Sequence, residues 1–568
     1  MIKDKILENL YSALKKIGVE EKEINLERPS NPNFGDYATS IALKLAKDLK
    51  KNPLQIAKDI VKNLPKDDLV KKVEVIKPGF INFWINTNYF LDYARKITQD
   101  IFDFPHYHLG KNKKIMVEFA HPNTHKLFHI GHLRNISSGE ALSRILMVVG
   151  NTVIRSNYQG DVGLHIAKCL YQVKSEKLKV KSLRTIREKV ALLGKMYAEG
   201  NKAYETDDQA KKEIIQLNQM IYQQQGDIVP IWKETRQWSL DYFDAIYKRV
   251  DSNFNRLYFE SELPERGKKI IQEALKKGIL EKSEGAIVFK GKPYGLDTRV
   301  FLNSLGIPTY EGKELALAEK EFSEFAELDK CIHVVGPEQS SFFKVTFKVE
   351  ELLDEKKYKS KQMHLIGGWV NLKHGKMSSR SGVVVEGIWL LDEAKKRIVE
   401  KFKCDEAIAE TIAVAAVKYS FLKNNISADI AFDFDESISL EGNSGPYLLY
   451  TYVRTQSVLK KAKLDMTIFV RSHQTGNGVR TNKEEKHLLR SLNLLPETVY
   501  ESAKNLSPNL IANYLYDLAQ KYNLFYQKHK ILESEEKIRN FRLLLTKATG
   551  QVIKNGLYLL GMKTVERM

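Results

Sequence analysis

The pattern of apolar and polar residues between positions 114 and 154 predicts a strand, a loop, a helix and a second strand. Residues 115–120 are apolar and β-prone, with Glu118 as the single charge among them. A loop of Pro, Asn, Thr, Gly and His follows, after which apolar residues recur at helical spacing as far as Gly150. The apolar run 152–154 predicts the next strand. Strand, helix and strand in this order indicate a βαβ unit, and therefore a parallel sheet.

The loop after the first strand is the first place where the sequence points to chemistry. Connections of this kind are usually about 2–6 residues long, whereas residues 121–131 separate this strand from its helix. Open α/β sheets bind ligands outside the carboxyl ends of their strands, which is where this loop must lie. Four of the 13 histidines lie in the loop or directly after it: His121, His125, His129 and His132.

Three interpretations of these histidines compete. Offsets of three and four would place zinc ligands on one helical face, but Pro122 and Gly131 interrupt such a helix, and neither HExxH nor a cysteine partner is present. The histidines could instead make only structural hydrogen bonds within the loop. In the third interpretation, His129 and His132 face a phosphate at the helix N-terminus, where exposed N–H groups and the helix dipole favour an anion. Gly131 would let a purine or ribose lie against the backbone.

A second landmark is the basic, serine-rich stretch at residues 376–380, KMSSR, which follows a predicted strand at 363–370. By itself such a stretch is typical of a solvated turn. Paired with His-Ile-Gly-His at 129–132, it resembles the second of the two signature loops of class I aminoacyl-tRNA synthetases. In that class the two loops hold ATP from both halves of a split nucleotide-binding fold.

The resemblance narrows to one family when more of the chain is considered. The segments HPNTHKLFHIGHLR, PTYEGKELALA, GPEQSSFF and EGNSGPYLLY and the terminal ERM occur in this order, and they resemble the arginyl-tRNA synthetase family across nearly the whole chain. The resemblance implies a multidomain fold with α/β and all-α parts. A split Rossmann-type catalytic domain with a parallel sheet would span 107–385, with a helical insertion at about 170–265. A small N-terminal α/β domain (1–106) would contact the tRNA elbow, and a C-terminal α-helical bundle (386–568) would contact the tRNA stem and bind the anticodon.

Length and composition agree with several folded domains. A chain of 568 residues predicts about three or four domains of roughly 150 residues each, and a hydrophobic fraction of 43% suffices for their cores. The three cysteines are far apart and form no CxxC pair, which indicates a reducing compartment and no zinc knuckle. No apolar run approaches the roughly 18 residues of a membrane span, and the N-terminus predicts neither a signal peptide nor a transit peptide. We therefore expect a cytoplasmic protein.

Recognition of arginine makes specific chemical demands. A guanidinium is planar, always charged and carries five donors, so its burial requires a carboxylate in bidentate contact and further acceptors. The resemblance implies an arginine pocket built from Glu118, Asn123, Tyr310, Glu314 and Gln339. Tyr310 and Glu314 are four residues apart at the start of a helical pattern, so both can face one site. The family usually has Asp where Glu314 stands, so the pocket must accommodate a longer side chain. A surface role for Glu118 and a helix N-terminal role for Gln339 remain open.

The resemblance also implies a two-step reaction. The carboxylate of arginine attacks the α-phosphate of ATP to give arginyl-adenylate and pyrophosphate, and a hydroxyl of the terminal tRNA adenosine, the 2′-hydroxyl first in class I, then takes the arginyl group. No protein nucleophile is required, so catalysis consists of positioning and charge neutralisation. Mg²⁺ would accompany ATP and the leaving pyrophosphate, and neither zinc nor another protein-bound metal is expected. The implied ATP-binding residues are His129, Gly131, His132, Lys376, Met377 and Ser378.

The basic stretch departs from the class I pattern at one position. The pattern is Lys-Met-Ser-Lys-Ser, and its second lysine carries much of the rate, but here Ser379 occupies that position while Lys376 is retained. Arginyl enzymes often lack this lysine and are thought to replace it with one just upstream of His-Ile-Gly-His. Lys126 lies at that place, and we hypothesise that it supplies the missing charge. The expected catalytic residues are thus His129, His132, Lys126 and Lys376.

The C-terminal region contains tyrosines among basic residues at 442–454 and 511–532. Aromatic rings can stack on splayed anticodon bases and lysines can contact phosphates, although tyrosines at helical spacing usually belong to a core. By resemblance alone, Tyr526 and the terminal Met568 are candidates for contact with tRNA. The net charge of +19 favours polyanion binding, but lysines on solvated helices account for much of it.

The expected partners are L-arginine, ATP and tRNA-Arg, and no membrane partner is expected. Because members of the family are usually monomers, we also expect a monomer. Two other functions stay open. Another class I synthetase or a nucleotidyltransferase could share the His-x-Gly-His loop, but the helical C-terminal region and the Tyr310/Glu314 pair argue against both. A synthetase-like protein could bind tRNA without catalysis; the intact ATP-loop residues argue against it, whereas Ser379 keeps it open.

Overall fold

The structure is a computed structural model, and it describes residues 1–21, 23–29, 31–99, 112–175, 183–373, 385–463 and 481–568. The chain divides into two compact units. The first combines Met1–Asp103, Arg454–Tyr500 and Asp517–Ile553, and the second combines Phe104–Val453, Glu501–Tyr516 and Lys554–Met568.

The N-terminal part of the first unit is a small α/β fold, as predicted. Its elements are α1 (Ile2–Lys16), β1 (Leu26–Glu27), β2 (Tyr37–Thr39), α2 (Ile41–Leu49), α3 (Pro53–Asn63), β3 (Val70–Ile76), β4 (Phe80–Ile85) and α4 (Thr87–Gln99). The strands form one antiparallel sheet in the order β1-β2-β4-β3. Helix α1 buries Ile6, Leu10 and Leu14, which recur at helical spacing and form its apolar face.

The second unit contains a five-stranded parallel sheet. Its elements up to residue 372 are β5 (Lys114–Glu118), α5 (Ile130–Val148), β6 (Thr152–Gln159), α6 (Leu164–Ser175), α7 (Ile186–Thr206), α8 (Asp208–Gln223), α9 (Ile228–Arg249), β7 (Arg256–Phe259), α10 (Pro264–Lys276), β8 (Glu281–Ser283), β9 (Ala286–Phe289), β10 (Arg299–Leu302), α11 (Tyr310–Glu324), β11 (Lys330–Val335), α12 (Ser340–Leu353), α13 (Glu355–Tyr358), β12 (Gln362–Ile366) and β13 (Val370–Leu372). The parallel sheet has the order β12-β11-β5-β6-β7.

This sheet is assembled from two separate parts of the chain. Strand β5, helix α5 and strand β6 are the predicted βαβ unit, and β7 pairs in parallel with β6. On the other side of β5 lies β11, which follows it only after the insertion helices and the antiparallel sheet β10-β9-β8. The predicted split parallel-sheet fold is confirmed.

Two details differ from the sequence expectations. The apolar run 363–370 is two strands: β12 pairs with β11, whereas β13 pairs with β14 (Ile430–Phe432) in another sheet. The chain passes from one sheet to the other through Gly367 and Gly368, and apolar periodicity carries no sign of the break. Strand β7, which the sequence assigned to the helical insertion, belongs to the central sheet. It is only four residues long, too short for its periodicity to stand out.

The insertion itself is helical and has its own core. Helices α6 to α9 surround a cluster that contains Trp232 and Trp238, which are 4% and 6% exposed. The indole N–H of Trp232 donates to the carbonyl of Asp161 at 2.7 Å. Both tryptophans are therefore core anchors rather than base-stacking platforms.

The chain after residue 385 is almost entirely helical, as predicted. Its helices are α14 (Gly387–Phe402), α15 (Glu406–Leu422), α16 (Phe434–Ser437), α17 (Gly445–Ala462), α18 (Lys483–Leu492), α19 (Leu495–Lys504), α20 (Asn509–Lys528) and α21 (Glu536–Leu559). Among the helices of the described ranges, none has the length and apolar character to cross a membrane. Cys169, Cys331 and Cys404 are free thiols.

Candidate active site

A cavity of ≈ 870 Å³ lies in the second unit, at the carboxyl ends of β5, β6 and β11. Eight of the predicted site residues line it: Glu118, Asn123, His129, Gly131, His132, Tyr310, Glu314 and Gln339. The fold thus brings the residues predicted for arginine and those of the first ATP loop into one place. Lys126, Tyr526 and Met568 are not among the lining residues. Lys376, Met377 and Ser378 lie outside the residues that the structure describes.

His129 and His132 form a corner where helix α5 begins. The backbone N–H of His129 donates to His132 Nδ1 at 3.2 Å, and the backbone N–H of His132 donates to His129 Nδ1 at 3.3 Å. The rings stack with their centroids 3.5 Å apart. Because each Nδ1 accepts a hydrogen bond from a backbone N–H, each neutral ring carries its own proton on Nε2, which is left to donate to a ligand.

Both rings are neutral at pH 7. Burial, with a smaller effect from the charge of Lys126, lowers the pKa of His129 to about 4. Burial beside His129 lowers the pKa of His132 well below its usual value. A Cβ atom at Gly131 would lie 3.0 Å from His129 Cε1, so any larger residue would push the ring away from the helix. Two N–H donors at a helix N-terminus, with room for a ligand, fit the phosphate interpretation.

Another histidine of the loop, His125, is structural. Its side chain is buried, and its ring nitrogens hydrogen-bond to the hydroxyls of Thr124 at 3.0 Å and Thr235 at 2.8 Å. Its backbone N–H donates to Ser239 Oγ at 3.0 Å, which helps to hold a left-handed backbone with φ 62°. In the described part of the chain, no group of three or more His, Cys, Asp or Glu is placed to hold a metal ion.

Glu118 and Glu314 supply acidic groups in the cavity. They are 2% and 4% exposed, and one oxygen of each, Glu118 Oε2 and Glu314 Oε1, has no hydrogen-bond partner among the described residues. Burial raises the pKa of Glu314 to about 8. Burial also opposes ionisation of Glu118, but the charge and hydrogen bond of His333 outweigh it and lower the pKa of Glu118. Buried oxygens without a donor are costly, so this part of the cavity fits a cationic ligand with several N–H groups.

The remaining predicted arginine residues surround these carboxyl groups. Tyr310 and Glu314 project from the first turns of α11, and both line the cavity, as their spacing predicted. Gln339 ends a short 3₁₀ turn after β11. Asn123 depends on Gly160: a Cβ atom there would lie 2.1 Å from Asn123 Oδ1.

Lys126 lies near the histidine corner, and among the described residues no carboxylate pairs with its ammonium group. Its Nζ is 5.1 Å from the centre of the Tyr197 ring, and it makes no ion pair or hydrogen bond among the described residues. Burial and the neighbouring charge of Lys168 lower its pKa. Its charge in turn lowers the pKa of His129, which indicates that the two side chains are close.

Sequence reasoning missed several buried groups at this site. Lys313 forms a buried ion pair with Glu260, a lining residue, and donates to the hydroxyl of Tyr222 at 3.1 Å. Glu260 directly follows β7, which the sequence did not separate from the insertion, so no signal indicated it. His333 was also missed, because a histidine inside an apolar strand gives no sign of its neighbours.

The C-terminal tyrosines divide into core and surface. Tyr514 and Tyr522 are 7% and 0% exposed and belong to the core. Tyr526 is 40% exposed, and the Arg454 guanidinium lies 4.9 Å from the centre of its ring. Met568 is 38% exposed.

Three family models match this chain. The model for "tRNA synthetases class I (R), catalytic domain" matches residues 98–434, the "Arginyl tRNA synthetase N terminal domain" matches 2–85, and the "DALR anticodon binding domain" matches 448–568. With the split parallel sheet and the His-Gly-His corner, the catalytic-domain match defines a class I aminoacyl-tRNA synthetase.

Relatives that match over most or all of the chain show which class I family it belongs to. An arginine–tRNA ligase of Fusobacterium nucleatum is 32% identical over 578 residues, covering 99% of this chain and 98% of the relative. One of Flavobacterium psychrophilum is 32% identical over 558 residues, covering 91% and 90%. The solved structure of Thermus thermophilus arginyl-tRNA synthetase has a TM-score of 0.82 and 25% identity, with 100% of both chains covered. The chain belongs to the arginyl-tRNA synthetase family and is an arginine–tRNA ligase.

Proposed function

We propose that the chain joins L-arginine to tRNA-Arg in two steps at the cavity described above. In the first step the arginine carboxylate attacks the α-phosphate of ATP, which yields arginyl-adenylate and releases pyrophosphate. In the second step a hydroxyl of the 3′-terminal adenosine of the tRNA attacks the arginyl carbonyl, which releases AMP. The first step requires ATP and arginine in this cavity, and the second requires arginyl-adenylate and the tRNA end there.

One observation supports this assignment above all. The same cavity has two neutral N–H donors at a helix N-terminus and two buried carboxyl groups with unpaired oxygens. The first feature suits a phosphate and the second suits a guanidinium. Arginine bound beside ATP provides both groups, a guanidinium and a phosphate, and so satisfies both features of the cavity.

The arginine end uses Glu118 and Glu314 for the guanidinium. Asn123, Tyr310 and Gln339 add hydrogen-bonding groups around it and for the α-amino and carboxylate groups. The unpaired carboxylate oxygens suit the fixed fork of guanidinium N–H donors, which a lysine ammonium would not match.

At the phosphate end, His129 and His132 donate through Nε2 and Gly131 leaves room for the nucleotide. ATP enters as its magnesium complex, and Lys376, Met377 and Ser378 complete the ATP site from the basic stretch. Lys126 adds the positive charge that Ser379 does not carry. The negative charge that develops around the α-phosphorus is thus neutralised by these groups, and no protein nucleophile takes part.

Different regions of the chain have different tasks in binding the tRNA and in the reaction. Residues 1–106 contact the elbow, 107–385 carry out the reaction, and 386–568 bind the stem and anticodon, with Tyr526 and Met568 among the contacts. Exposure of the Tyr526 ring beside Arg454 supports base stacking there. The enzyme works as a monomer in the cytoplasm, and its three free thiols fit a reducing compartment.

The test is arginine-dependent exchange between ATP and pyrophosphate, with and without tRNA. Exchange with arginine only when tRNA is added supports the activity and its coupling to tRNA binding. Exchange without tRNA keeps the activity and removes the coupling. The absence of exchange under both conditions, with tRNA still bound, would favour a non-catalytic tRNA-binding protein.

Variants locate the arginine end. Glu118→Gln and Glu314→Gln should each raise the KM for arginine by about 10–100-fold, since each loses a charge-assisted hydrogen bond, and leave the KM for ATP nearly unchanged. Glu319→Gln is the matched control, because Glu319 lies on the same helix but pairs with Arg266.

A further inference from the structure

A chain of four side chains crosses the central sheet beside the arginine pocket. His333 on β11 is the register partner of Glu118 on β5, and its Nδ1 lies 2.8 Å from Glu118 Oε1. His333 Nε2 lies 3.0 Å from Oε1 of Gln362 on β12. Gln362 Nε2 donates to Oε2 of Glu350 on α12 at 2.9 Å. We call Glu118, His333, Gln362 and Glu350 the buried relay.

The hydrogen bonds of the buried relay determine the protonation of His333. The amide nitrogen of Gln362 faces Glu350, so its oxygen faces His333 and can only accept. His333 Nε2 therefore carries a proton, and Nδ1 donates its proton to the Glu118 carboxylate. With protons on both nitrogens, His333 is an imidazolium. Burial opposes this charge, but Glu118 outweighs it and raises the pKa of His333 to about 9.

Several titratable groups lie around His333 and around its partner Glu118. These groups are Glu118 on β5, His121 in the loop after β5, Glu314 and Glu321 on α11, Glu350 on α12 and His364 on β12. Burial raises the pKa of Glu321 and of Glu350 well above the usual value, which favours the neutral form of both. Burial also lowers the pKa of His121 and of His364. Within this group His333 is thus the one cation.

The aromatic rings of Phe343 and Phe347 hold the imidazolium in place. Their centroids lie 4.9 Å and 5.5 Å from that of His333, and the histidine side chain is fully buried. Glu118 Oε1 is consequently tied to a fixed N–H donor, whereas no N–H group donates to Glu118 Oε2 among the described residues. The carboxyl group of Glu321 also lies within hydrogen-bonding reach of Glu118. The buried relay thus distinguishes between the two oxygens of one carboxylate.

We propose that His333 is the positioning residue of the arginine pocket: it holds Glu118 through Oε1 as a carboxylate and so presents Oε2 to the guanidinium of arginine. The inference rests on the proposed arginine site and names the group that orients and charges it. Without the imidazolium, Glu118 would share a buried site with three other carboxyl groups and would take up a proton. Arginine would then have to displace that proton, so its binding would weaken at low pH and recover at high pH.

The test compares His333→Gln with the wild type across pH 6–9, using the KM for arginine in the exchange reaction. At pH 7 the variant should raise the KM for arginine about tenfold or more, because a shift of one pKa unit corresponds to a factor of ten. The KM for ATP should stay within about twofold. By pH 9 the arginine defect should shrink to about threefold or less, since Glu118 ionises again.

Two further variants separate positioning from folding. His364→Gln changes the neighbouring histidine, which hydrogen-bonds to the Val335 carbonyl at 3.2 Å, and its KM for arginine should follow the wild type at every pH. Gln362→Leu keeps His333 but removes the acceptor of its Nε2 proton, so it should show the same pH-dependent defect in weaker form. It also serves if His333→Gln does not fold.

The outcomes are distinct. A His333→Gln or Gln362→Leu profile that superimposes on the wild type overturns the positioning role, as does a defect that is the same at pH 6 and pH 9. A fall in kcat with an unchanged KM for arginine would indicate a structural role only, and also overturns it. If the wild type shows no response to arginine, the proposed function fails together with this inference.

Discussion

At the residue scale, the proposed arginine pocket combines a charged and a largely neutral glutamate. Glu118 is kept ionised by His333, whereas burial raises the pKa of Glu314 to about 8. Glu314 is therefore protonated in most free molecules at pH 7, although its role requires a carboxylate. The longer side chain at this position, where the family usually has Asp, is thus buried mostly in its neutral form, and a bound guanidinium would stabilise its ionised form.

Arginine affinity should consequently depend on pH. Below about pH 8, arginine must displace a proton from Glu314. The dissociation constant of arginine should therefore rise by up to about tenfold for each pH unit by which the pH falls. Calorimetric titration of arginine between pH 6 and pH 9 measures this slope. Glu314→Gln should bind arginine more weakly and lose the slope, whereas Glu319→Gln should retain it. A wild-type dissociation constant that is flat from pH 6 to pH 8 would contradict the role of Glu314.

Lys126 carries a second prediction at the residue scale. It has a lowered pKa, lies close to His129 and lacks a carboxylate partner among the described residues. Lys126→Ala should reduce the rate of adenylate formation about 100-fold, the size of effect seen when one donor to a developing charge is lost. Lys126→Arg should retain most of the rate.

Lys168→Ala is the control for this change. Lys168 is close enough to lower the pKa of Lys126, but it donates to Asn201 at 2.8 Å. Its removal should leave the rate of adenylate formation almost unchanged. If Lys126→Ala stays within a few-fold of the wild type in single-turnover measurements, another group supplies the charge.

At the scale of elements, helix α5 is fastened to the rest of the second unit by one arginine. Arg134 is 1% exposed, and its guanidinium donates to five backbone carbonyls: Gly368, Trp369, Asn425, Ile426 and Ala428. Two of these precede β13 and three precede β14. The helix that begins at the histidine corner is thus tied to β13, which leads towards the basic stretch, and to β14, which pairs with β13.

Removal of this guanidinium should destabilise the protein strongly. Arg134→Gln would leave several buried carbonyls without a donor, at a cost of at least about 3 kcal/mol. Arg134→Lys should be intermediate, because an ammonium has three donors rather than five. Chemical denaturation followed by circular dichroism measures both, and Arg187→Lys at an exposed ion pair should be nearly neutral. Full stability of Arg134→Gln would show that the carbonyls find other donors.

At the scale of the whole molecule, the excess of basic residues governs encounters with tRNA. The net charge of +19 lies on a chain whose partner is a polyanion, so complex formation releases counterions. The affinity for tRNA-Arg should fall about tenfold or more between 50 and 200 mM salt. The KM for arginine, which binds in a buried cavity, should change little. Filter binding and exchange assays in the same buffers check both, and a salt-independent tRNA affinity would contradict an electrostatic contribution.

Sequence reasoning located some of the helices and strands and missed others. Periodicity located α5, β5, β6 and α11, because a helical or alternating pattern is a local property. It failed for β7, which is four residues long, and for the run that divides into β12 and β13. In both cases the outcome depends on which strand lies next to the segment, and the segment itself does not encode that.

The site shows the same division. The His-Ile-Gly-His stretch stood out in the sequence by its place between a strand and a helix, and the resemblance to the family pointed to Glu118 and the Tyr310/Glu314 pair. Gly160, which leaves room for Asn123, gave no such sign. Nor did His333, which lies 215 residues from Glu118 in the chain.

The sequence by itself therefore determined the family, the order of the elements and the residue types at both ends of the cavity. The tertiary structure decided the protonation states: neutral rings at His129 and His132, a carboxylate at Glu118, an imidazolium at His333 and a raised pKa at Glu314. The physical reason is that a pKa depends on burial and on neighbouring charges. Those neighbours come from strands and helices that are distant in sequence and meet only in the folded chain.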